Sequence, residues 1–542
     1  MKKGLISKLT ALGCMAALSL GVVGCGTSTE GTVATTTTTT TGAASTETGS
    51  TEAKEEGTPV YGGTLNVAVG SITSLDGQFE SADEPMTRHI FEPVLELDGD
   101  YGIQTGVCSY EVSDDYLTIT LTVRDGVTFH NGDAVDANDI KASLERWIAN
   151  CSNGSNYVGK YLNDIEVTGD STLELHFASV ASAALSAMAY NYLGSFVMPA
   201  EICEKYPDSP VSDTADLIGT GPYKFDEWVP DNYIHVVRYD GYVGTGTDCT
   251  GAAGNKNAYV DDIYFYFSTD ADAEVNGVLS GTYDLAEQVN YSIYLSQQDN
   301  PDVKFELIAD GVRPAMVMDK SEGWTADKTF RQAVLACIDS EAALKASFGV
   351  EDLYVLDGSW YYDEMPTDAS LYNQADIEKA KTLLEECGYD GSELIYITQE
   401  SGYYYNTAYM ACESMKAAGI NVTLKVMDQA ELYTLRKDPK EYDFFAVGFS
   451  MKADPSMIAF LADSWPGLWV NDKKTELLDA MAATLDITEK KALWQEMTDL
   501  IYDDVPVVLF GSKKNCTMVT KRTMNATYEG AEPYYWNIWI SE

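Results

Sequence analysis

The sequence predicts an α/β fold, and three observations support this prediction. Runs rich in β-branched or aromatic residues, several with alternating apolar positions, are typical of strands: residues 64–69, 117–123, 172–176, 234–238, 263–267, 394–398, 422–426 and 505–510. Other runs indicate helices through apolar spacing: residues 137–149, 327–339, 375–387, 408–418 and 490–501. The order strand, helix, strand within residues 394–426 implies parallel strands joined by a right-handed crossover.

The first residues have the character of an export signal. Lys2, Lys3 and Lys8 accompany an apolar stretch, residues 9–23, which is too short to anchor stably across a bilayer. The stretch ends at Gly24-Cys25, and small residues before a cysteine are typical of a bacterial lipoprotein cleavage site. We therefore predict a signal peptide over residues 1–24 and a lipidated Cys25. An ordinary secreted protein cut at another position is the alternative.

A segment of low complexity follows the predicted cleavage site. Residues 26–58 are mostly Thr, Ser, Gly, Ala and Glu, with an unbroken threonine run at 35–41. Such a segment has too little apolar surface to form a core. We therefore expect residues 25–58 to form a disordered tether between the lipid and a folded body that starts near residue 59.

The charge balance excludes some partners. The chain has 84 acidic and 35 basic residues, a net charge of −49. A surface of this sign repels nucleic acid and anionic lipid headgroups, so we expect no nucleic-acid partner and membrane contact only through the N-terminal lipid. The cysteines beyond residue 26 show no C-x-x-C spacing and the histidines show no ligand cluster, so we expect no metal and no cofactor. Their disulfide state stays open.

One block of residues carries a specific resemblance. A strand ends in Arg124-Asp125-Gly126, is followed by Phe129-His130-Asn131-Gly132, and leads to a helix that opens with Ala137-Asn138-Asp139. This block resembles the signature of the family-five extracellular solute-binding proteins, which take up peptides, nickel and oligosaccharides. Further blocks similar to the family occur in its order at residues 62–65, 74–76, 219–225, 259–263, 280–284, 327–333 and 503–506.

The resemblance implies an architecture. It implies a two-lobed periplasmic-binding-protein-like fold of type II, with three domains as in the dipeptide- and oligopeptide-binding proteins, mixed sheets and a ligand cleft between the lobes. Carried over to the body, residues 59–542, domain I comprises about 59–90, 217–312 and 503–542. Domain II comprises about 91–216 and domain III about 313–502, so that hinge crossings fall near residues 312 and 502.

The resemblance also implies a function. It implies a monomeric, lipid-anchored substrate-binding protein of an ABC importer on the extracellular face of the cell membrane, delivering a solute, by family preference a peptide, to a permease and its ATPase. An oligosaccharide receptor of the same family is one alternative, and a ligand sensor for a signalling partner is another. An extracellular hydrolase is disfavoured because the sequence has no Gly-x-Ser-x-Gly and no His-Glu-x-x-His. In the family, His130 is a scaffold residue, and Gly219-Thr220-Gly221 indicates a tight turn.

The first candidates for ligand binding lie in a departure from the family pattern. Peptide-binding members have a Gly-Trp-x-x-Asp-Tyr-x-Asp-Pro run whose first Asp pairs with the peptide ammonium. The corresponding run, residues 448–455, is one residue short and places Met451 or Lys452 at that Asp. A lysine repels an ammonium, which puts amine recognition in doubt. The candidates from this run are Phe449, Met451, Lys452 and Asp454.

The other candidates are mainly aromatic, because rings offer flat apolar faces with a polar edge to peptides, sugars or cations. Tyr403, Tyr404 and Tyr405 are favoured by an expected position in a strand-to-helix loop, where α/β sheets bind ligands. Core packing is the alternative for each ring. The remaining candidates are Trp360, Tyr361, Trp465 and, near the N-terminus, Phe79, Glu80 and Ser81.

Overall fold

The structure is a computed structural model and describes residues 57–79, 84–190, 193–268, 270–287, 289–308, 312–360, 368–400, 402–452, 454–526 and 534–541. These residues belong to one compact unit. Within the described ranges, every helix is too short or too polar to cross a bilayer. The predicted signal peptide, Cys25 and nearly the whole predicted tether lie outside the described residues.

Two sheets form the first lobe. The larger is a mixed seven-stranded sheet, whose strands lie in the order Val303–Ile308, Asn515–Thr520, Leu285–Ala286, Thr64–Val69, Asp262–Phe267, Tyr233–Arg238 and Tyr223–Val229. The smaller is antiparallel, in the order Cys108–Val112, Thr118–Val123, Thr172–Phe177 and Leu162–Val167. We call these two sheets and their helices lobe one.

A five-stranded sheet forms the second lobe. Its strands lie in the order Val422–Met427, Leu394–Gln399, Phe444–Phe449, Arg313–Met318 and Val507–Leu509. Short two-stranded pairings join Leu95–Leu97 to Ile103–Thr105, Tyr354–Val355 to Ser512–Lys513, and Thr523–Met524 to Trp539–Ile540. We call the five-stranded sheet and its helices lobe two.

Helices cover these sheets. Those of lobe one are Glu84–Ile90, Ala137–Asn150, Ser152–Gly154, Ala184–Ala189, Ala200–Lys205, Ala271–Ser280 and Tyr291–Gln297. Those of lobe two are Lys328–Cys337, Ser340–Phe348, Ala369–Tyr372, Ile377–Cys387, Gly402–Ala418, Gln429–Leu435, Asp472–Ala482 and Ile487–Asp504. Aspartate caps begin several of them: Asp136 accepts hydrogen bonds from the backbone of Asn138 and Asp139, which satisfies two otherwise orphaned donors.

The predicted α/β, two-lobed fold is confirmed. Residues 394–399 and 422–427 form parallel strands with helix Gly402–Ala418 between them, as the strand–helix–strand order predicted. The domain limits stay a prediction. Strand Val507–Leu509, which those limits assign to domain I, pairs with Arg313–Met318 in the sheet of lobe two. Within the described residues, no two cysteines form a disulfide.

An apolar cluster is continuous across both lobes. It includes Ala286 and Met518 from the seven-stranded sheet and Met316 and Phe444 from the five-stranded sheet, all 0% exposed. Because close-packed side chains resist separation, this cluster holds the lobes together on the side where the chain crosses between them.

A network of buried charges joins the two sheets of lobe one. Lys256 is 2% exposed, and its Nζ lies 2.6 Å from Glu96 Oε1 and 3.4 Å from Glu92 Oε1. Arg88, 0% exposed, also pairs with Glu96, and Arg124 Nη2 lies 3.5 Å from Glu92 Oε2. Buried charges are tolerated only when paired in this way, so the network fixes the relative position of the elements that carry it.

Two of the motifs noted in the sequence bind each other. The backbone N–H of Gly219 donates to His130 Nδ1 at 3.3 Å, and His130 Nε2 donates to the carbonyl oxygen of Gly221 at 3.0 Å. Accepting at one nitrogen and donating at the other requires the neutral imidazole. A side chain at Gly219 would place Cβ 2.0 Å from the carbonyl oxygen of Ile90, which explains the glycine. His130 thus has a scaffold role, and residues 219–221 form a tight backbone connection.

Burial of His130 predicts a pH dependence of stability. Burial lowers its pKa to about 4 from 6.5, while the bond to Gly221 opposes this shift. Between these values the unfolded chain binds more protons than the folded chain, so stability present above the unfolded pKa is lost as pH falls toward the folded pKa. We expect a loss of up to about 3 kcal/mol from this group. Urea unfolding of the wild type and of His130→Gln, measured across this window, checks it. Parallel stability profiles of the two proteins would contradict the prediction.

Candidate functional site

The carboxyl edge of the lobe-two sheet brings several predicted residues together. Strand Leu394–Gln399 runs parallel to both of its neighbours, Val422–Met427 and Phe444–Phe449. The carboxyl ends of all three strands therefore lie at one edge, where α/β sheets open onto their ligands. Gln399, Met427 and Phe449 end the strands at this edge.

A cluster of tyrosines stands above this edge. The rings of Tyr403 and Tyr404 lie 4.2 Å apart between centroids and are tilted by 39° to each other. Tyr433, on the helix Gln429–Leu435, is close enough to act on both electrostatically. We call Tyr403, Tyr404 and Tyr433 the tyrosine cluster. Burial raises the pKa of Tyr403 and Tyr404, so both phenols stay neutral.

The expected loop position of Tyr403, Tyr404 and Tyr405 is wrong. Helix Gly402–Ala418 begins earlier than the apolar spacing indicated, and the three tyrosines form its first turn. Thr407 Oγ1 donates to the carbonyl oxygen of Tyr403 at 2.8 Å, which supports this turn. The three rings also separate: Tyr405 is 37% exposed and stacks on Tyr409 of the same helix, away from the cluster.

The position of Tyr404 accounts for Gly448. A Cβ built on Gly448 would lie 2.5 Å from the Tyr404 hydroxyl oxygen and 2.1 Å from a methyl carbon of Val312. The phenol therefore lies directly against the backbone of strand Phe444–Phe449, one residue before its end. The glycine of the family run is thus required by close approach of a side chain from another element.

The neighbouring rings Trp360, Phe449, Phe460 and Trp465 form a second aromatic group. Trp360 is 3% exposed and lies 5.5 Å from Phe449 and 4.7 Å from Phe460 between ring centroids. Trp465 is partly buried, 5.6 Å from Phe449. Trp360 thus packs in the core of lobe two, whereas Phe449 and Trp465 keep part of their surface open.

The run after Phe449 touches lobe one. Met451 is 6% exposed, and its carbonyl oxygen accepts a hydrogen bond from the Tyr190 hydroxyl at 3.3 Å. Lys452 Nζ donates to the same hydroxyl oxygen at 3.3 Å and lies 5.3 Å from the centre of the Tyr190 ring. Met457 is buried within the apolar cluster around the four-stranded sheet. Candidates of the sequence analysis therefore form a contact between the lobes.

Asp454 has a partner within the protein. Its Oδ2 accepts from Lys490 Nζ at 2.6 Å, and its Oδ1 accepts from the backbone N–H of Ser456 at 2.9 Å. Asp454 and Lys490 are 4% and 6% exposed. Lys490 Nζ also donates to the carbonyl oxygen of Ser182 in lobe one, at 2.6 Å. The ammonium beside Asp454 is thus supplied by a helix of lobe two and reaches across to lobe one.

The remaining candidates fall elsewhere. Phe79 is partly buried in lobe one, 4.9 Å below the guanidinium of Arg146, which forms a buried ion pair with Asp76. Cys25, Glu80, Ser81 and Tyr361 lie outside the described residues. Lys490, Ser182, Tyr190 and Tyr433 were missed, because nothing local in the sequence shows which distant residue will meet them.

One group among the described residues has metal-ligand chemistry. Asp164, Glu166 and His176 lie on one face of the four-stranded sheet, with one ligand atom from each within 4.8 Å of the others. His176 Nε2 is 3.5 Å from Glu174 and 3.7 Å from Glu166, so carboxylates of the sheet already partner the imidazole. The group lies on the four-stranded sheet of lobe one, whereas the carboxyl edge belongs to the five-stranded sheet of lobe two.

Comparison with known proteins places this geometry in a family. Residues 107–466 match the bacterial extracellular solute-binding proteins, family 5 Middle. A probable peptide ABC transporter periplasmic-binding protein y4tO of Sinorhizobium fredii is 26% identical over 80% of this chain and 84% of its own length. Glutathione-binding protein GsiB of Salmonella paratyphi A is 23% identical over 81% and 87% of the two chains.

A solved structure has the same fold. The ABC transporter substrate-binding protein CtaP of Listeria monocytogenes superposes with a TM-score of 0.76 at 21% identity, covering 89% of this chain and 100% of that one. The family match extends over most of the chain and includes the motif at residues 124–139 and the run at 448–455. The chain belongs to the bacterial extracellular solute-binding proteins of family 5.

Proposed function

We propose that this protein is the lipid-anchored substrate-binding component of an ABC importer, that it acts on the extracellular face of the membrane, and that its ligand is a peptide. The observation that carries the proposal is the carboxyl edge of the lobe-two sheet, where the tyrosine cluster and Phe449 stand beside a run that contacts lobe one. A solute held there is enclosed when the lobes meet. The lipid on Cys25 and the permease and ATPase partners follow from the export signal and the family.

The chemistry of this edge favours capture through rings and backbone groups. The phenols are neutral, and the Asp454 carboxylate is engaged by Lys490 and Ser456. Neutral aromatic faces bind apolar and amide groups, and no charged side chain of the protein has to lose its water for this binding. The relatives whose names mention a peptide or glutathione support a peptide ligand. The rings also suit sugars, so an oligosaccharide is the second candidate.

Native mass spectrometry of the purified full chain tests the proposed function. We expect a complex of one protein and one ligand, because enclosure between lobes slows dissociation. The released ligand should fragment into amino-acid residues and should keep its mass on incubation with the protein. Fragments of hexose mass would favour the oligosaccharide alternative, and conversion of the ligand would contradict a binding protein.

Substitution of Tyr404 tests the site itself. Tyr404→Ala removes the ring that lies against Gly448, and we expect the affinity for the recovered ligand to fall by about tenfold or more because stacking area is lost. Tyr409→Ala, on the exposed side of the same helix, is the matched control and should keep wild-type affinity. Isothermal titration calorimetry measures both. Equal affinities of the two variants would remove Tyr404 from the site.

The Asp454–Lys490 pair makes a separate prediction about stability. Lys490→Met leaves a buried carboxylate without its cation, so we expect unfolding to require about 3 kcal/mol less free energy. Lys473→Met breaks an exposed pair with Glu496 and should cost less than about 1 kcal/mol. Adding Asp454→Asn to Lys490→Met should recover part of the loss. Urea unfolding measures all four proteins, and a Lys490→Met variant as stable as Lys473→Met would contradict the role of the pair.

A further inference from the structure

A cavity in lobe two lies beside Trp465 and the end of the helix Gln429–Leu435. Its volume is about 390 Å³, within the range of small-molecule sites, and its lining consists of Arg436, Lys437, Pro439, Tyr442, Ser464, Trp465, Pro466 and Leu468. Trp465 and the helix Gln429–Leu435 pack on the face of the sheet that carries Phe445 and Val447. Tyr403 and Tyr404 pack on the opposite face, with Phe444 and Ala446.

The charge of this lining differs from that of the molecule. The chain as a whole has a net charge of −49, yet the cavity is lined by two cations and by no carboxylate. Across the described part of the chain, no acidic side chain forms an ion pair with Arg436 or Lys437. The nearby Asp438 directs its carboxylate to the backbone N–H of Lys440. The positive charge of the cavity is therefore not neutralised by the protein.

Arg436 is held in place by rings. Its guanidinium carbon lies 4.2 Å from the centre of the Tyr433 ring, 5.9 Å from that of Phe445 and 5.8 Å from that of Trp465. Its Nε is buried and has no hydrogen-bond partner among the described residues. Burial lowers the pKa of Arg436, as expected for a cation that has lost water and gained no anion. Aromatic stacking fixes the plane of the guanidinium but leaves its donors available.

We propose that this cavity is a second binding site, which takes a small organic acid through its carboxylate. A planar guanidinium with available donors matches a carboxylate in geometry, and Lys437 adds a second positive charge. Trp465, Pro466, Pro439 and Leu468 offer apolar walls to the body of such a molecule. Inorganic phosphate has no apolar body to use these walls, so it fits the cavity less well. The site adjoins the tyrosine cluster through Tyr433, but its lining does not include Tyr403 or Tyr404, and it does not depend on the identity of the imported ligand.

A charged probe and its neutral counterpart test this site. We expect the full chain to bind benzoate saturably in ligand-observed NMR. It should bind benzamide and inorganic phosphate at least about tenfold more weakly, since benzamide lacks the charge-assisted hydrogen bond and phosphate lacks the apolar body. Equal binding of benzoate and benzamide, or no binding of benzoate, would overturn the proposal. Tighter binding of phosphate would overturn the assignment to a carboxylate.

Two variants locate the probe. Arg436→Gln should weaken benzoate binding by about tenfold or more. Lys381→Gln is the control. Lys381 is exposed and pairs with Glu378 within the helix Ile377–Cys387, which does not line the cavity, so this variant should bind benzoate as the wild type does. Thermal unfolding checks that Arg436→Gln is folded, and if it is not, Lys437→Gln at the exposed side of the cavity replaces it and should weaken benzoate severalfold. Unchanged benzoate affinity in the folded variant would overturn the proposal, since Arg436 would then only pack against the surrounding rings at the end of its helix.

Discussion

The packing of lobe one depends on a buried lysine, Lys256. Lys256 comes from the segment before strand Asp262–Phe267, yet its ammonium bridges Glu92 and Glu96, which lie close to the smaller sheet. An ammonium this deeply buried has no water to replace a lost carboxylate, so the three groups must stay together. The ring of Trp536, 5.0 Å from the ammonium, brings the C-terminal segment into the same arrangement. Segments from three parts of the chain thus converge on one buried ammonium.

The contacts between the two lobes are of two kinds. On one side, the shared apolar cluster around Met316 and Met518 is continuous and close-packed. On the other, the lobes meet through individual polar contacts from Tyr190 and Ser182 and through Met457, which is buried in the apolar cluster of lobe one. Polar contacts of this kind can exchange for water at little cost, whereas separating an apolar cluster exposes its whole surface. This asymmetry is what a hinged binding protein requires, with a permanent side and a side that opens.

Much of the fold could be predicted from the sequence because its signals are local. Alternation marked strand Thr172–Phe177, and apolar spacing marked helix Ile377–Cys387, since each pattern reflects contacts within a few residues. The start of helix Gly402–Ala418 was placed too late, because its first turn consists of three consecutive tyrosines, which show no helical spacing of apolar and polar positions. The motif at His130 was recognised, but not its partner, because Gly221 is far along the chain and only the folded backbone brings them together.

The candidate site was less predictable for the same reason. The run at 448–455 drew attention to Asp454, but the partner of Asp454 lies on a helix outside the run. The aromatic candidates separated into core, edge and surface because burial of a ring depends on which helix covers it: Trp360 is enclosed, Tyr404 borders the edge and Tyr405 faces outward. Arg436-Lys437 was also passed over, because adjacent cations occur elsewhere in this acidic chain, as at 473–474 and 513–514, and such a pair does not by itself mark a cavity.

The pairing of Asp454 with Lys490 has a consequence for selectivity. A primary amine that approached this carboxylate would compete with an ammonium attached to the same chain, whose effective concentration is at least millimolar. Free amines at lower concentrations bind Asp454 only rarely, because the Lys490 ammonium is attached to the same chain and stays beside the carboxylate. An amine that paired with Asp454 would therefore first have to displace Lys490 from the carboxylate.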